Sequence, residues 1–165
     1  CKQETKENNI IEAVNFNCPG QTVIAGHSSA VDAIIPVLKS AGAKIVKKLP
    51  VSLAAHTSLL KPVADELSNV LSKLSFNQND FDIVHNYDLS VGQDGEHLNR
   101  VLSNQVCSPV RWIENLEKFK ATNITNIIEV GPGSVLSGLV KRFDKSINVY
   151  PTKSIEDIKM LAEAL

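Results

Sequence analysis

His56 stands in the run Val51-Ser52-Leu53-Ala54-Ala55-His56-Thr57-Ser58, a bend of small residues just ahead of a helical pattern. Small neighbours leave an imidazole room to face a cavity, and a neutral histidine is the natural proton acceptor for a weak oxygen nucleophile near neutral pH. Taken alone, an isolated histidine is more often an ordinary surface or core residue. A serine lies in a suggestive place at Gly26-His27-Ser28, after a β-prone run and before a helical one. That is the start of the Gly-x-Ser-x-Gly turn, which exposes a hydroxyl between strand and helix. Position 30, where the turn needs a second glycine, is Ala30, and Ser28 and Ser29 fit better as helix N-caps. His85 falls at a strand end and His97 on an outward helix face. No two histidines have helical zinc spacing and no carboxylates cluster with them, so no metal site is expected.

Two further features could meet anions. Gly131-Pro132-Gly133-Ser134, between strand and helix patterns, could turn backbone N–H groups toward a phosphate. It matches neither a P-loop nor a full dinucleotide fingerprint, and a plain tight turn is the simpler reading. Lys44, Lys47, Lys48, Lys61 and the pair Lys141-Arg142 read as solvated faces that could also draw an anionic cofactor tail or an acidic partner.

The elements that must carry these residues follow from periodicity and punctuation. A short polar helix precedes a strand over Ile10 to Phe16; Asn17-Cys18-Pro19-Gly20 is a turn, and Gln21 to Ala25 the returning strand. Val31, Ile34, Ile35 and Leu38 recur at helical spacing up to Gly42, with Pro36 the weak point. Ala43 to Val51 is β-prone, though interrupted by lysines. A helix from about Pro62 to Leu74 has Val63, Leu67, Val70, Leu71 and Leu74 on one face. Phe81 to Val84 reads as a short strand, Glu96 to Ser103 as a helix, and Pro109 opens a helix carrying Trp112, Ile113, Leu116 and Phe119. Asn126 to Val130 and Asn148 to Tyr150 read as strands around a helix over Val135 to Arg142, and an amphipathic helix runs from Ser154. Strands alternating with helices imply a largely parallel, helix-covered sheet in this second part.

With 165 residues, 43% hydrophobic and 21% charged, the chain is globular in composition, neither disordered nor a coiled coil. A net charge of -1 gives no global footprint for nucleic acid or an anionic membrane. No apolar run approaches the roughly 18 residues of a membrane span. Three scattered cysteines without a CxxC spacing imply neither a disulfide framework nor structural zinc, which makes a reducing, cytoplasmic setting the expectation. The chain opens on Cys1 and a charged stretch, Lys2 to Asn9, without a start methionine or a signal peptide's apolar region, and reads as a cut edge.

The order and spacing of several segments say more than any one motif. Asn15-Phe16-Asn17-Cys18-Pro19-Gly20-Gln21, Val23-Ile24-Ala25-Gly26-His27, Pro50-Val51-Ser52, His56, Leu60-Lys61-Pro62, Asn104-Gln105, Ser108-Pro109-Val110-Arg111-Trp112 and Glu129-Val130-Gly131-Pro132-Gly133 together resemble the C-terminal half of the bacterial malonyl-CoA:acyl carrier protein transacylases. The resemblance spans nearly the whole chain. It implies an α/β fold in which residues 1–49 are most of a ferredoxin-like small lobe and residues 50–165 the C-terminal part of an α/β-hydrolase-like large lobe. The family's serine, in a Gly-His-Ser-x-Gly elbow, its oxyanion hole and the arginine that meets the malonyl carboxylate would all lie upstream. Gly26-His27-Ser28 is then a decoy.

By the same resemblance, His56 falls on the family's catalytic histidine, and Gln105 on the glutamine whose carbonyl hydrogen-bonds and orients it. Asn15 and Asn17 fall on the stretch facing the cleft, where they could meet the cofactor arm; hydrogen bonding at a strand end is the simpler role. The implied partners are malonyl-CoA as substrate, acyl carrier protein as acceptor and the missing N-terminal half of the enzyme, with no permanently bound cofactor, nucleic acid or membrane. Leu53-Ala54-Ala55 departs from the Pro-Ser that precedes the histidine in the stand-alone enzymes, which leaves malonyl against methylmalonyl preference open. The basic positions near Lys44 to Lys48 are rearranged, so none is assigned to CoA phosphate. The ending at Leu165 resembles that of a stand-alone enzyme. Two rivals stand beside this reading: an esterase-like hydrolase using Ser28 and His56, and a non-catalytic module that binds the carrier or CoA.

Overall fold

The computed structural model describes residues 9–78 and 80–164, so the polar helix expected before Ile10 lies mostly outside the described residues. The architecture is mixed α/β. It divides into two compact units, one holding residues up to Phe16 together with Thr22–Arg111, the other Asn17–Gln21 together with residues from Trp112 onward.

β1 (Ile11–Cys18) and β2 (Gln21–Gly26), most of whose residues belong to the first unit, pair as a two-stranded sheet around Pro19-Gly20. Gly20 has φ 79°, a left-handed value that glycine adopts without a Cβ penalty. β1 is also paired along Val110, whose carbonyl accepts from Phe16 N (3.0 Å) and whose amide donates to Val14 O (2.8 Å). Helix α1 (Ser28–Ser40) sets Ala30 and Ile34, one turn apart, against Ile11 and Ile24. The helix continues through Pro36 rather than stopping there. Gly26 allows a close crossing: a Cβ there would lie 2.1 Å from the Ile10 carbonyl oxygen.

Two expected strands are absent. Residues 43–51 are irregular, with Ile45 86% exposed and Lys48 paired to Asp32 at 2.7 Å. Their β-prone side chains find no neighbouring strand among the described residues, and without ladder partners extended propensity does not make a strand. Residues 81–84 give only an isolated bridge, Val84 to Val91, because the chain reverses at once through His85–Ser90, with Leu89 at φ 61°. A 3-10 turn, Ser58–Leu60, runs directly into α2 (Lys61–Leu71), which packs on α3 (Gly95–Val106). Asp94 caps α3 by accepting from His97 N at 2.8 Å.

The second unit is a βαβ element with a helix on either side. β3 (Asn126–Glu129) and β4 (Asn148–Pro151) pair in parallel, Asn126 opposite Asn148 and Glu129 opposite Pro151. Between them runs α5 (Val135–Phe143), preceded by α4 (Trp112–Ala121) and followed at the end by α6 (Ile155–Ala164). Leu116 and Val140, both 0% exposed, form the core with Ile147, Trp112, Phe119, Ile127, Phe143 and Val149. Burying one such aliphatic side chain is worth roughly 1.5–3 kcal/mol over leaving it in water. Among the described residues no helix is long and apolar enough to cross a membrane.

Candidate active site

His56 closes the bend before the 3-10 turn with a left-handed backbone, φ 65°. That conformation is uncommon for a residue with a Cβ and must be held by its surroundings. The last carbonyls of a helix have no partner within it. His56 satisfies two of them at the end of α3: its amide donates to Val106 O at 3.0 Å, and its ring Nδ1 lies 2.8 Å from Gln105 O. A carbonyl can only accept, so Nδ1 carries the hydrogen, and in the neutral ring Nε2 is the basic nitrogen. The residue is half-buried, and Thr57 beside it is fully buried with its hydroxyl donating to Ala54 O at 2.6 Å.

Gln105 thus meets His56 through its main chain. Its side chain turns the other way: Nε2 donates to Ser108 O (3.1 Å) and Pro109 O (3.5 Å), while the buried Oε1 has no partner among the described residues. Ser108 and Pro109 lead into Val110, which pairs with β1 beside Asn15. Asn15 is half-buried in the same unit as His56 and Gln105. Asn17 belongs to the second unit, where it lines a shallow recess with Gln21, Ser134, Val135 and Arg142.

Ser28 and Ser29 do not cap α1. The N-cap is His27, which lacks a side-chain cap bond; its Nδ1 instead accepts from Ile10 N at 3.0 Å, and Ser29 Oγ donates to Asn9 Oδ1 at 2.8 Å. Ser28 is exposed at the head of the helix, and the hydrogen bonds of His56 run to Gln105 and Val106. The amides that open α5 after Gly131-Pro132-Gly133 already hold an anion from the protein. Glu129 accepts from Leu136 N (3.0 Å), Ser137 N (2.7 Å) and Ser137 Oγ (2.5 Å). Burial works to raise the Glu129 pKa, but the Ser137 hydroxyl and these amides outweigh it and hold the carboxyl below its ordinary value.

One polar cluster left no signal in the sequence. His97, expected on an outward face, is half-buried and joined through Nε2 to Ser90 Oγ at 3.0 Å. Ser90 Oγ donates to Asp88 Oδ1, Arg100 Nη1 donates to Asp88 Oδ2 at 2.7 Å, and Arg100 Nη2 lies 3.3 Å from His97 Nδ1. The His85 ring sits 5.4 Å from that of His97. A Cβ on Gly92 would lie 2.8 Å from the His97 ring, so only glycine lets the loop pass there. Among the described residues no group of three or more His, Cys, Asp or Glu side chains could hold a metal ion.

No protein-family model matches the chain. It is similar to the malonyl CoA-acyl carrier protein transacylase of Escherichia coli (strain K12), 37% identical over 163 residues that make up 99% of this chain and 52% of that protein. The protein of the same name from Salmonella typhimurium is 41% identical over 163 residues, with the same coverage of each. Among solved structures, the transacylase from Coxiella burnetii superposes with a TM-score of 0.94 at 33% identity, covering 100% of this chain and 52% of its own. A malonyl-transacylase in complex with its type II PKS acyl-carrier protein superposes with a TM-score of 0.95 at 36% identity, over 99% of this chain and 53% of that one. The chain spans about half the length of the curated relatives it matches.

Proposed function

Because the chain matches about half of a bacterial malonyl CoA-acyl carrier protein transacylase over nearly all of its own length, we propose that it is the C-terminal half of such an enzyme. In this reading the enzyme moves a malonyl group from malonyl-CoA to the phosphopantetheine thiol of acyl carrier protein, for fatty-acid synthesis. Residues 1–49 are most of the ferredoxin-like small lobe, and residues 50–165 the end of the hydrolase-like large lobe. The nucleophilic serine comes from polypeptide upstream of these residues.

His56 is the proton shuttle. The serine oxygen attacks the thioester carbonyl while Nε2 takes the serine proton; the carbon–sulfur bond then breaks and the CoA thiolate takes that proton from the imidazolium. In the second half the carrier thiol gives its proton to Nε2 and attacks the acyl-serine ester, and the released serine oxygen recovers it. The observation that carries this role is the 2.8 Å contact from Nδ1 to Gln105 O, which leaves Nε2 as the proton acceptor. Gln105 is the orienting residue, through a neutral carbonyl where a Ser-His-Asp triad has a carboxylate. Asn15 and Asn17 supply polar contacts to the pantetheine arm.

The test is acyl transfer by the complete enzyme. His56→Ala should slow turnover by about 10³-fold, within the range for loss of a general acid–base group; near-normal turnover would refute the assignment. The 165-residue chain alone, incubated with malonyl-CoA, should show no malonyl adduct by intact mass. A stable adduct on Ser28 would favour the esterase-like alternative instead.

A further inference from the structure

We propose that Glu12 is a positioning residue for His56. The inference rests on His56 being the proton shuttle and identifies what holds its ring at the Gln105 carbonyl. The left-handed backbone at His56 is uncommon for a residue with a Cβ and persists only where both flanks are tied down. The preceding flank is closed by Thr57 Oγ1 donating back to Ala54 O. The following flank enters the 3-10 turn, whose opening amide has no partner within the turn. Glu12 supplies it from 46 residues away: Oε2 accepts from Ser58 N at 2.8 Å and Oε1 from Ser58 Oγ at 2.7 Å.

Glu12 is well placed to act as a clamp because β1 itself is fixed. Its neighbours Ile11 and Val14 are 1% and 2% exposed. β1 also holds Val110 through Val14 and Phe16, and Val110 lies just past Gln105. One strand therefore grips the chain after His56 through Glu12 and the chain after Gln105 through Val110, which sets the separation of imidazole and carbonyl. Loosening that separation by about 1 Å takes Nδ1 out of hydrogen-bond range. The ring is then free to carry its hydrogen on Nε2, where it cannot accept the serine proton.

Long-range ¹H–¹⁵N spectra of the imidazoles in the full chain read the tautomer directly, with the His56 signals assigned by their loss in His56→Ala. The unsubstituted chain should show a single Nδ1–H form. Glu12→Ala should shift the His56 signals toward the Nε2–H form, which the unsubstituted chain does not show. Glu12→Gln, whose amide can still accept from Ser58 N and donate to its hydroxyl, should restore the original spectrum. A purely structural role would lower the unfolding midpoint and leave the tautomer unmoved, so a folded Glu12→Ala with an unchanged His56 spectrum overturns the proposal. Should Glu12→Ala not fold, Ser58→Ala, which removes only an exposed hydroxyl, takes its place: a partial shift supports the clamp and none overturns it. In the complete enzyme, Glu12→Ala should lower kcat and leave KM for malonyl-CoA unchanged. A tautomer shift beside a fully active His56→Ala would sink the proposed function and leave the clamp standing.

Discussion

Arg100 Nη2 lies 3.3 Å from His97 Nδ1, and since a guanidinium only donates, that nitrogen is the acceptor. The assignment propagates. His97 must then donate from Nε2 to Ser90 Oγ, Ser90 donates to Asp88, and Asp88 receives the other arm of Arg100. The four side chains close a ring of hydrogen bonds in which each donor and acceptor role is fixed. It ties residues 88–90 of the loop ahead of α3 to the first turns of that helix.

The ring makes stability depend on acid. Burial alone would raise the Asp88 pKa, but the bonds from Ser90 and Arg100 lower it to about 2, from an ordinary 3.8. The unfolded chain therefore binds the proton more readily. The contribution of Asp88 is complete above about pH 4 and is lost as pH falls toward about 2. Urea midpoints of the unsubstituted protein and Asp88→Asn should differ most near pH 6, the variant being weaker, and converge by about pH 2. A pH-independent gap would exclude this origin.

Gly26→Ala should be among the more damaging small substitutions. The new methyl would lie 2.1 Å from Ile10 O and 2.8 Å from Ile11 Cα, both main-chain atoms that cannot swing aside. It would force apart the pair of bonds between Ile10 and His27. A loss of about 3 kcal/mol, the upper end for overpacking, is expected in urea unfolding. Gly20→Ala serves as the comparison, because its Cβ meets nothing within 4 Å and only its φ of 79° is strained. Its cost should stay at roughly 1 kcal/mol.

Gln105→Glu tests the side chain separately from the main-chain carbonyl. Where Nε2 now donates to Ser108 O and Pro109 O, a carboxylate oxygen would face two acceptors. About 2 kcal/mol of stability should be lost at neutral pH, measured by urea unfolding, with part of it recovered in acid as the carboxyl gains a hydrogen to donate. Equal stability at both pH values would show that the amide bonds contribute little.

Much of this was legible in the sequence where a signal is local. Pro19-Gly20 between two β-prone runs marked the hairpin, and the spacing of Trp112, Leu116 and Phe119 marked α4. The irregular stretch 43–51 was not, because Ile45 and Val46 have strand-like side chains but no neighbour to pair with, and partners are a property of the tertiary fold. The helical face of Val63, Val70 and Leu74 was also only half right: α2 buries Ala64 and Leu71, while those three stay about half exposed. At the site, His56 and Gln105 could be singled out, but the contact uses a main-chain carbonyl that every residue has, and its availability depends on α3 ending at Val106. Glu12 gave no signal, since a carboxylate capping a turn 46 residues away leaves no periodicity. Glu129 did leave one: an acid at a strand end, just before a Gly-Pro-Gly turn and a helix, is placed to reach the helix's opening amides.

Helix α3 has a histidine at each end: His97 in its first turn, locked to the loop, and His56 resting on its final carbonyls. Twelve residues make a rod about 18 Å long. Both ends of the rod are thus tied to groups outside the helix, and amide deuterium uptake along α3 becomes a gauge of how firmly each end is kept.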